Sequence, residues 1–158
     1  MKKQALKAVT MLVSIIALAF MTAVVSNAQS GGQKLRANIP FDFAVGDKAL
    51  AAGEYVVGQI STQDNSATIV RSRSGGSSAM NLTNTVQADA PKNRGMLVFH
   101  RVAGGYYLAQ IWTPGSAQGR EILKGKAEKS AERELAKNAS RGELAKNIET
   151  VTIFAELR

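Results

Sequence analysis

The sequence contains no cysteine and a single histidine among its 158 residues. The first absence excludes thiolate metal sites, cysteine nucleophiles, disulfide staples and a lipid-modified cysteine. The second leaves too few donors for a zinc site, which needs several His or Cys ligands. No metal or other cofactor is therefore expected. Catalytic signatures are missing as well. A serine triad would have to use His100, yet no G-x-S-x-G elbow occurs, and "GSAQG" (115–119) places its serine one position too early. "GREILKGKA" (119–127) is no phosphate loop, because it has a residue too many before Gly-Lys and Ala127 where a hydroxyl is required. His100 could serve as a general base or a pH switch. Its expected sheet neighbours Val98, Val102 and Ala109 instead point to a hydrogen-bonded histidine in the core or half-buried. No catalytic, cofactor-binding or metal-ligating residue is assigned.

What is present begins with an export signal. Lys2, Lys3 and Lys7 precede an apolar run from Ala8 to Val25, and Ser26-Asn27-Ala28 places small residues where a signal peptidase reads. Cleavage is expected between Ala28 and Gln29. A retained anchor is the competing reading, since the run approaches bilayer-spanning length. Thr10, Ser14 and Thr22 dilute it, and nothing strongly charged follows Ala28 to stop transfer. Removal of residues 1–28 leaves 158 − 28 = 130 residues, enough for one domain with a core that needs no disulfides. It also removes three of the 20 basic residues, so the net charge falls from +8 to 17 − 12 = +5. The expected organisation is a signal peptide (1–28), a flexible Gly-rich leader (29–34) and a single β-rich domain (35–158).

Hydrophobic alternation dominates that domain. Ile39, Phe41, Phe43 and Val45 alternate with Pro40, Asp42, Ala44 and Gly46, the period of a strand, with Pro40 marking an edge or the start of pairing. Val45-Gly46-Asp47-Lys48 has turn chemistry, Leu50 can plug the core, and Ala52-Gly53 leads into a strand over 54–60. Asp42 and Glu54 then face solvent, and Asp47 forms the turn. Segments 67–73 and 78–87 flank Ser74-Gly75-Gly76-Ser77, and a two-residue turn there sets Ile69 opposite Leu82 and Arg71 opposite Met80, with Val86 continuing the apolar face. "GMLVFHRV" (95–102) and "YYLAQIW" (106–112) form a central hairpin with Gly104-Gly105 as its turn. In this register Met96, Val98, His100 and Val102 share a face. Pro114 and Gly115 end the hairpin. From Arg120 the chain turns to Lys, Arg, Glu and Ala, and Leu123, Ala127, Ala131 and Leu135 predict a helix within a helical segment at about 120–148. "ELAKN" (134–138) recurs at 143–147, and Ser140-Arg141-Gly142-Glu143 reads as a capping box opening a second short helix. "ETVTIFAEL" (149–157) alternates as a closing strand, expected inside the sheet and beside the first strand. The expected fold is mainly β: an antiparallel β-sandwich or partly open β-barrel, with a C-terminal helical segment and a closing strand.

"ANIPFDFAVGDKALAAGEY" (37–55), "LVFHR" (97–101), "YYLAQIWTPG" (106–115) and "GREI" (119–122) together resemble a family of small exported bacterial β-proteins. Their shared pattern is I-P-F-x-F-x-V-G-x-x-x-L-P-A-G-x-Y. The resemblance implies export and a β-fold, and carries no activity or site residues. Ala51 stands where that pattern has proline.

Three functional readings follow. The leading one is a non-catalytic envelope protein, a structural or interaction module of the periplasm or cell exterior. Its partners would be an envelope protein or an anionic polysaccharide, and it would meet the membrane only through the uncleaved signal. A second is a carrier holding a small apolar ligand in a barrel interior. A third is a carboxylate-dependent hydrolase built on Asp42, Asp47 or Glu54. Arg71 and Arg73, with Arg101, are candidates for a surface that binds anionic sugar or lipid. Nucleic acid is not expected, because the basic residues of 120–146 are interleaved with five glutamates and lack stacking aromatics. The export reading predicts that the secreted product has the intact mass of residues 29–158; a product retaining residues 1–28 would show an anchor.

Overall fold

A computed structural model describes residues 33–60, 66–138 and 148–158. The cleavage pair Ala28 and Gln29, the capping box at 140–143 and the second "ELAKN" lie outside the described residues. Ten strands are present: β1 (Leu35–Ile39), β2 (Phe43–Val45), β3 (Lys48–Leu50), β4 (Gly53–Gln59), β5 (Ala67–Ser72), β6 (Ser78–Gln87), β7 (Gly95–Val102), β8 (Gly105–Trp112), β9 (Gln118–Ile122) and β10 (Glu149–Leu157). Among the described residues one helix, α1 (Lys126–Asn138), stands between β9 and β10. Eight strands close into an antiparallel barrel in the order β8-β7-β10-β1-β4-β5-β6-β9, with β9 returning to β8. The mainly β expectation holds, and of its two alternatives the barrel is correct. It is fully closed.

Two long strands make closure possible. The first half of β6 (78–82) pairs with β5 and its second half (83–87) with β9. Similarly, β10 pairs with β7 over 149–155 and with β1 at Glu156 and Leu157. Each therefore passes from one sheet to the other, the corner device of orthogonally packed sheets. The closing strand lies between β1 and β7, as the need for partners on both edges predicts. Val151, Ile153 and Ala155 face inward, whereas Thr150, Thr152, Phe154 and Glu156 face outward.

The strand read through 39–45 is broken. Pro40 has no N–H to continue the β1 ladder, and Asp42 Oδ1 accepts the Ala52 N–H at 2.8 Å. The chain turns there, and β2 and β3 form a small hairpin about Gly46-Asp47 that pairs β2 in parallel with β8 at Ala44 and Tyr107. The β8–β9 seam has only three residue pairs, and this hairpin covers the remainder of the β8 edge. Phe41 stacks on Tyr106 (centroids 3.9 Å apart), and Phe43 meets Phe99 and Tyr55 edge-on. Leu50 is buried, as the plug reading anticipated.

Three local expectations are corrected. The β5–β6 register pairs Ile69 with Met80 and Arg71 with Ser78, two residues from the expected match. A wider loop spans Arg73–Gly76, closed by the Ser72 N–H donating to the Ser77 carbonyl. The inward residues here are small or hydroxylic, namely Thr68, Val70, Ala79 and Thr83, while Met80 and Leu82 point outward. The β7–β8 turn is Ala103-Gly104, both with positive φ (49° and 82°), a type I′ geometry. A bulge opposite Val98 and Phe99 leaves Ala109 unpaired, so Leu97 and Phe99 share the interior with Ile111 and Leu108. Thirdly, residues 118–122 are strand β9, because Arg120 and Ile122 face the interior opposite Ile111 and Thr83, while Gly119 lies under the Trp112 ring on the outer side. The helix begins only at Lys126. Leu123 is not part of its stripe, and α1 turns Glu128, Ala131, Glu132 and Leu135 toward the barrel. Glu132 pairs with Lys124 at 2.5 Å.

Among the described residues no helix is long and apolar enough to cross a membrane. Phe99 is wholly buried at the meeting point of the aromatic cluster. Phe99→Ala should cost about 3–5 kcal/mol of stability in urea unfolding. By contrast, Ala103→Asn should add about 0.5–1 kcal/mol, because asparagine tolerates the left-handed conformation that alanine occupies at a cost.

Candidate functional site

The three carboxylates at the first hairpin have separate structural duties. Asp42 holds Ala52, as above. Asp47 Oδ1 accepts the Lys126 N–H at 2.5 Å and so caps the start of α1 from a distant turn. Gly125 makes this approach possible, since a Cβ there would run into the Gly46 carbonyl. Glu54 Oε1 pairs with Arg73 at 3.1 Å and with Arg36 at 3.5 Å on the outer wall. No two of the three converge on a common point in the hydrogen-bond pattern.

His100 is half-buried on the outer face of β7, and its Nδ1 lies 3.2 Å from Glu128 Oε1. Glu128 is 4% exposed, which makes it the one buried carboxylate among the described residues. This contact and the Asp47 cap clamp the first turn of α1 against the barrel. A His–carboxylate pair is also the orienting half of an acid–base unit. Thr150 and Tyr107 flank His100 on the neighbouring strands, but neither hydroxyl hydrogen-bonds to it. The pair therefore acts as a structural clamp, in line with the half-buried, hydrogen-bonded histidine expected. Among the described residues no cluster of His, Cys, Asp and Glu could hold a metal ion.

The three candidate arginines divide. Arg101 donates to Glu149 Oε2 at 3.0 Å and lies over the Tyr106 ring. The Glu149 hydrogen bond, with Tyr106 nearby, raises its pKa above the ordinary arginine value. Arg71 and Arg73 instead line an open groove of about 350 Å³ on the outer wall of β4 and β5, together with Lys34, Arg158, Val56, Gly58 and Ile69. Arg101 stands on β7, four strands round the ring from β5. Four cationic side chains thus gather in one groove. Lys34, Arg71 and Arg158 form no ion pair with a described residue, whereas Glu54 engages Arg73. Lys34 and Arg158 were not singled out from sequence. They lie 158 − 34 = 124 residues apart and meet because β10 runs beside β1, where the Arg158 N–H donates to the Lys34 carbonyl at 2.9 Å.

Inside the barrel, Leu35, Ile39, Val45, Val57, Leu97 and Phe99 are at most 1% exposed. A cavity reaching Leu35, Val57, Thr68 and Ile111 measures about 20 Å³. The inner cavity has room for about one water molecule, and an adjoining pocket of about 220 Å³ that shares Gln33, Ile111 and Arg120 with it also falls below the roughly 300 Å³ of a typical ligand site. No family model, no curated protein and no solved structure matches the chain.

Tyr55, on β4, is buried and donates its hydroxyl to the Ala51 carbonyl at 2.7 Å. Burial, and secondarily the charge of Asp42, raises its pKa above the ordinary 10.0. The unfolded chain therefore loses this proton at lower pH than the folded one, and stability contributed by neutral Tyr55 is complete below pH 10 and lost as pH rises through the folded value. Urea midpoints measured across pH 9–11 should fall more steeply for the wild type than for Tyr55→Phe, which has no proton to lose.

Proposed function

We propose that the chain is an exported, non-catalytic module that interacts through the outside of its barrel. The observation that carries this reading is the filled interior combined with the basic outer groove. An eight-stranded barrel is just wide enough for side chains to fill or for one small ligand to occupy. Here side chains occupy it, with aromatic rings from β2, β4 and β7 at the centre. A carrier would need those rings displaced, at the cost of core packing worth several kcal/mol. The hydrolase reading loses its support because Asp42, Asp47 and Glu54 are each committed to a backbone N–H or a cation.

Export is supported by the basic start, the apolar run and the Ser26-Asn27-Ala28 boundary. A cysteine-free domain suits that destination when its core is sufficient alone, and the continuous cluster from Leu35 to Ala155 supplies such a core. The groove of Lys34, Arg71, Arg73 and Arg158 supports an anionic partner.

Native mass spectrometry of the protein extracted from its own cell envelope tests the choice between module and carrier. The bare polypeptide, or the polypeptide joined to another macromolecule, is the expected result. A small apolar molecule that survives detergent washing at one-to-one stoichiometry would overturn the module in favour of the carrier.

A further inference from the structure

The basic groove continues into an aliphatic surface, and the strand register shows how. On the outer wall, side chains directly opposite each other form rows across β1, β4, β5 and β6. One row runs Arg36–Val56–Arg71–Ser78. The next contains Gly58, Ile69 and Met80, with the Lys34 stem lying against Gly58. The third joins Ala67 to Leu82, flanked by Ile60, whose N–H donates to the Ala67 carbonyl, and by Leu123, whose N–H donates to the Leu82 carbonyl. The wall thus grades from cationic to wholly aliphatic over three successive rows. Gly58 has no side chain, and that leaves the groove between Lys34 and Ile69 open.

The aliphatic end is strongly exposed: Met80 is 68%, Leu82 56%, Ile60 48% and Leu123 40% accessible. Four of the six exposed large hydrophobic residues among those described gather here. Solitary exposed aliphatics need no explanation, but a contiguous row does. Beside it stand five side-chain cations (Lys34, Arg36, Arg71, Arg73 and Arg158) against the side-chain carboxylates of Glu54 and Glu156 and the terminal carboxylate on Arg158.

We propose that the outer wall of β4, β5 and β6 docks on an anionic lipid bilayer. Cations would meet headgroup phosphates while Ile60, Met80, Leu82 and Leu123 enter the headgroup–acyl boundary. Stable attachment to a bilayer takes two signals, and a polybasic patch beside inserted apolar side chains supplies both. An anionic polysaccharide would satisfy only the cations and leave the aliphatic row in water. A second copy of the chain would satisfy only the aliphatics and bring like charges together. This inference deepens the surface-acting reading and rests on it. Purified protein and vesicles test it without reference to where the cell delivers the chain, so its failure would leave the filled-core module standing.

The experiment is co-sedimentation of the exported chain with phosphatidylglycerol–phosphatidylethanolamine vesicles and with phosphatidylcholine vesicles. Binding to the anionic vesicles is expected at low salt, falling at least tenfold in 0.5 M salt. Arg71→Gln should weaken the partition coefficient by about fivefold, and Met80→Asp with Leu82→Asp should abolish binding. All these side chains are exposed, so the variants should keep the wild-type circular dichroism. Arg101→Gln, on β7 across the ring, should bind as the wild type does. No sedimentation with anionic vesicles at low salt would overturn the proposal. So would equal loss on Arg101→Gln, or a dimer in analytical ultracentrifugation that Leu82→Asp dissolves while vesicles are ignored.

Discussion

Everything else in this fold depends on the two strands that turn the corners. A β-sheet edge exposes unpaired N–H and C=O groups, and closure into a ring removes them. Here the ring closes because β6 and β10 are long enough to divide their pairing between two neighbours each, one in either sheet. The requirement is most exacting for β10. It comes last in the chain yet sits between β1 and β7, so both would be open edges without it. Its pairing with β1 joins residues about as far apart in sequence as the domain allows, which places the largest loop-closure entropy at that seam.

Closure also dictates how the inside is filled. Eight strands enclose a cylinder that aromatic and branched residues can occupy completely, and the Phe43, Tyr55 and Phe99 rings meet there edge to face. The weak place is the short β8–β9 seam, and the β2–β3 hairpin is laid over it. That hairpin in turn positions α1: the Asp47 carboxylate caps the helix, and Glu128 reaches His100 on β7. Residues that look in isolation like acid–base groups are thus joints in the assembly. With the interior filled and Asp42, Asp47 and Glu54 committed, the unpaired cations stand on the outer wall. The rows there are ordered by charge because alternate residues of β4 and β5 cannot serve the core.

Much of the fold was legible in local pattern. The alternation in 149–157, the hairpins around glycine turns and the Leu50 plug follow from period and turn chemistry, which act over a few residues. Alternation grouped Val151, Ile153 and Ala155, which face inward, with Leu157, which is exposed at the end of β10. It failed on β6, where Met80 and Leu82 look like core and are surface. Thr68, Ala79 and Thr83 take the inside because their small size fits the curved interior, and hydrophobicity alone could not reveal that. It failed again at Arg120–Ile122, whose composition belongs to the charged segment but whose position completes the ring. The Ala109 bulge shifted the faces of β8 for a similar reason, since no local signal marks which residue a ladder will omit.

By itself, the sequence determined the β class, the lack of any thiol, and the hydrogen-bonded state of His100. Each of these depends on residue type or on neighbours close in the chain. Only the tertiary structure decided that the barrel closes, that its interior is full, and that Lys34 and Arg158 stand with Arg71 while Arg101 stands across the ring. Those outcomes rest on strand order and register, which are set by the simultaneous pairing of segments far apart in the chain, and no short stretch of residues contains that information.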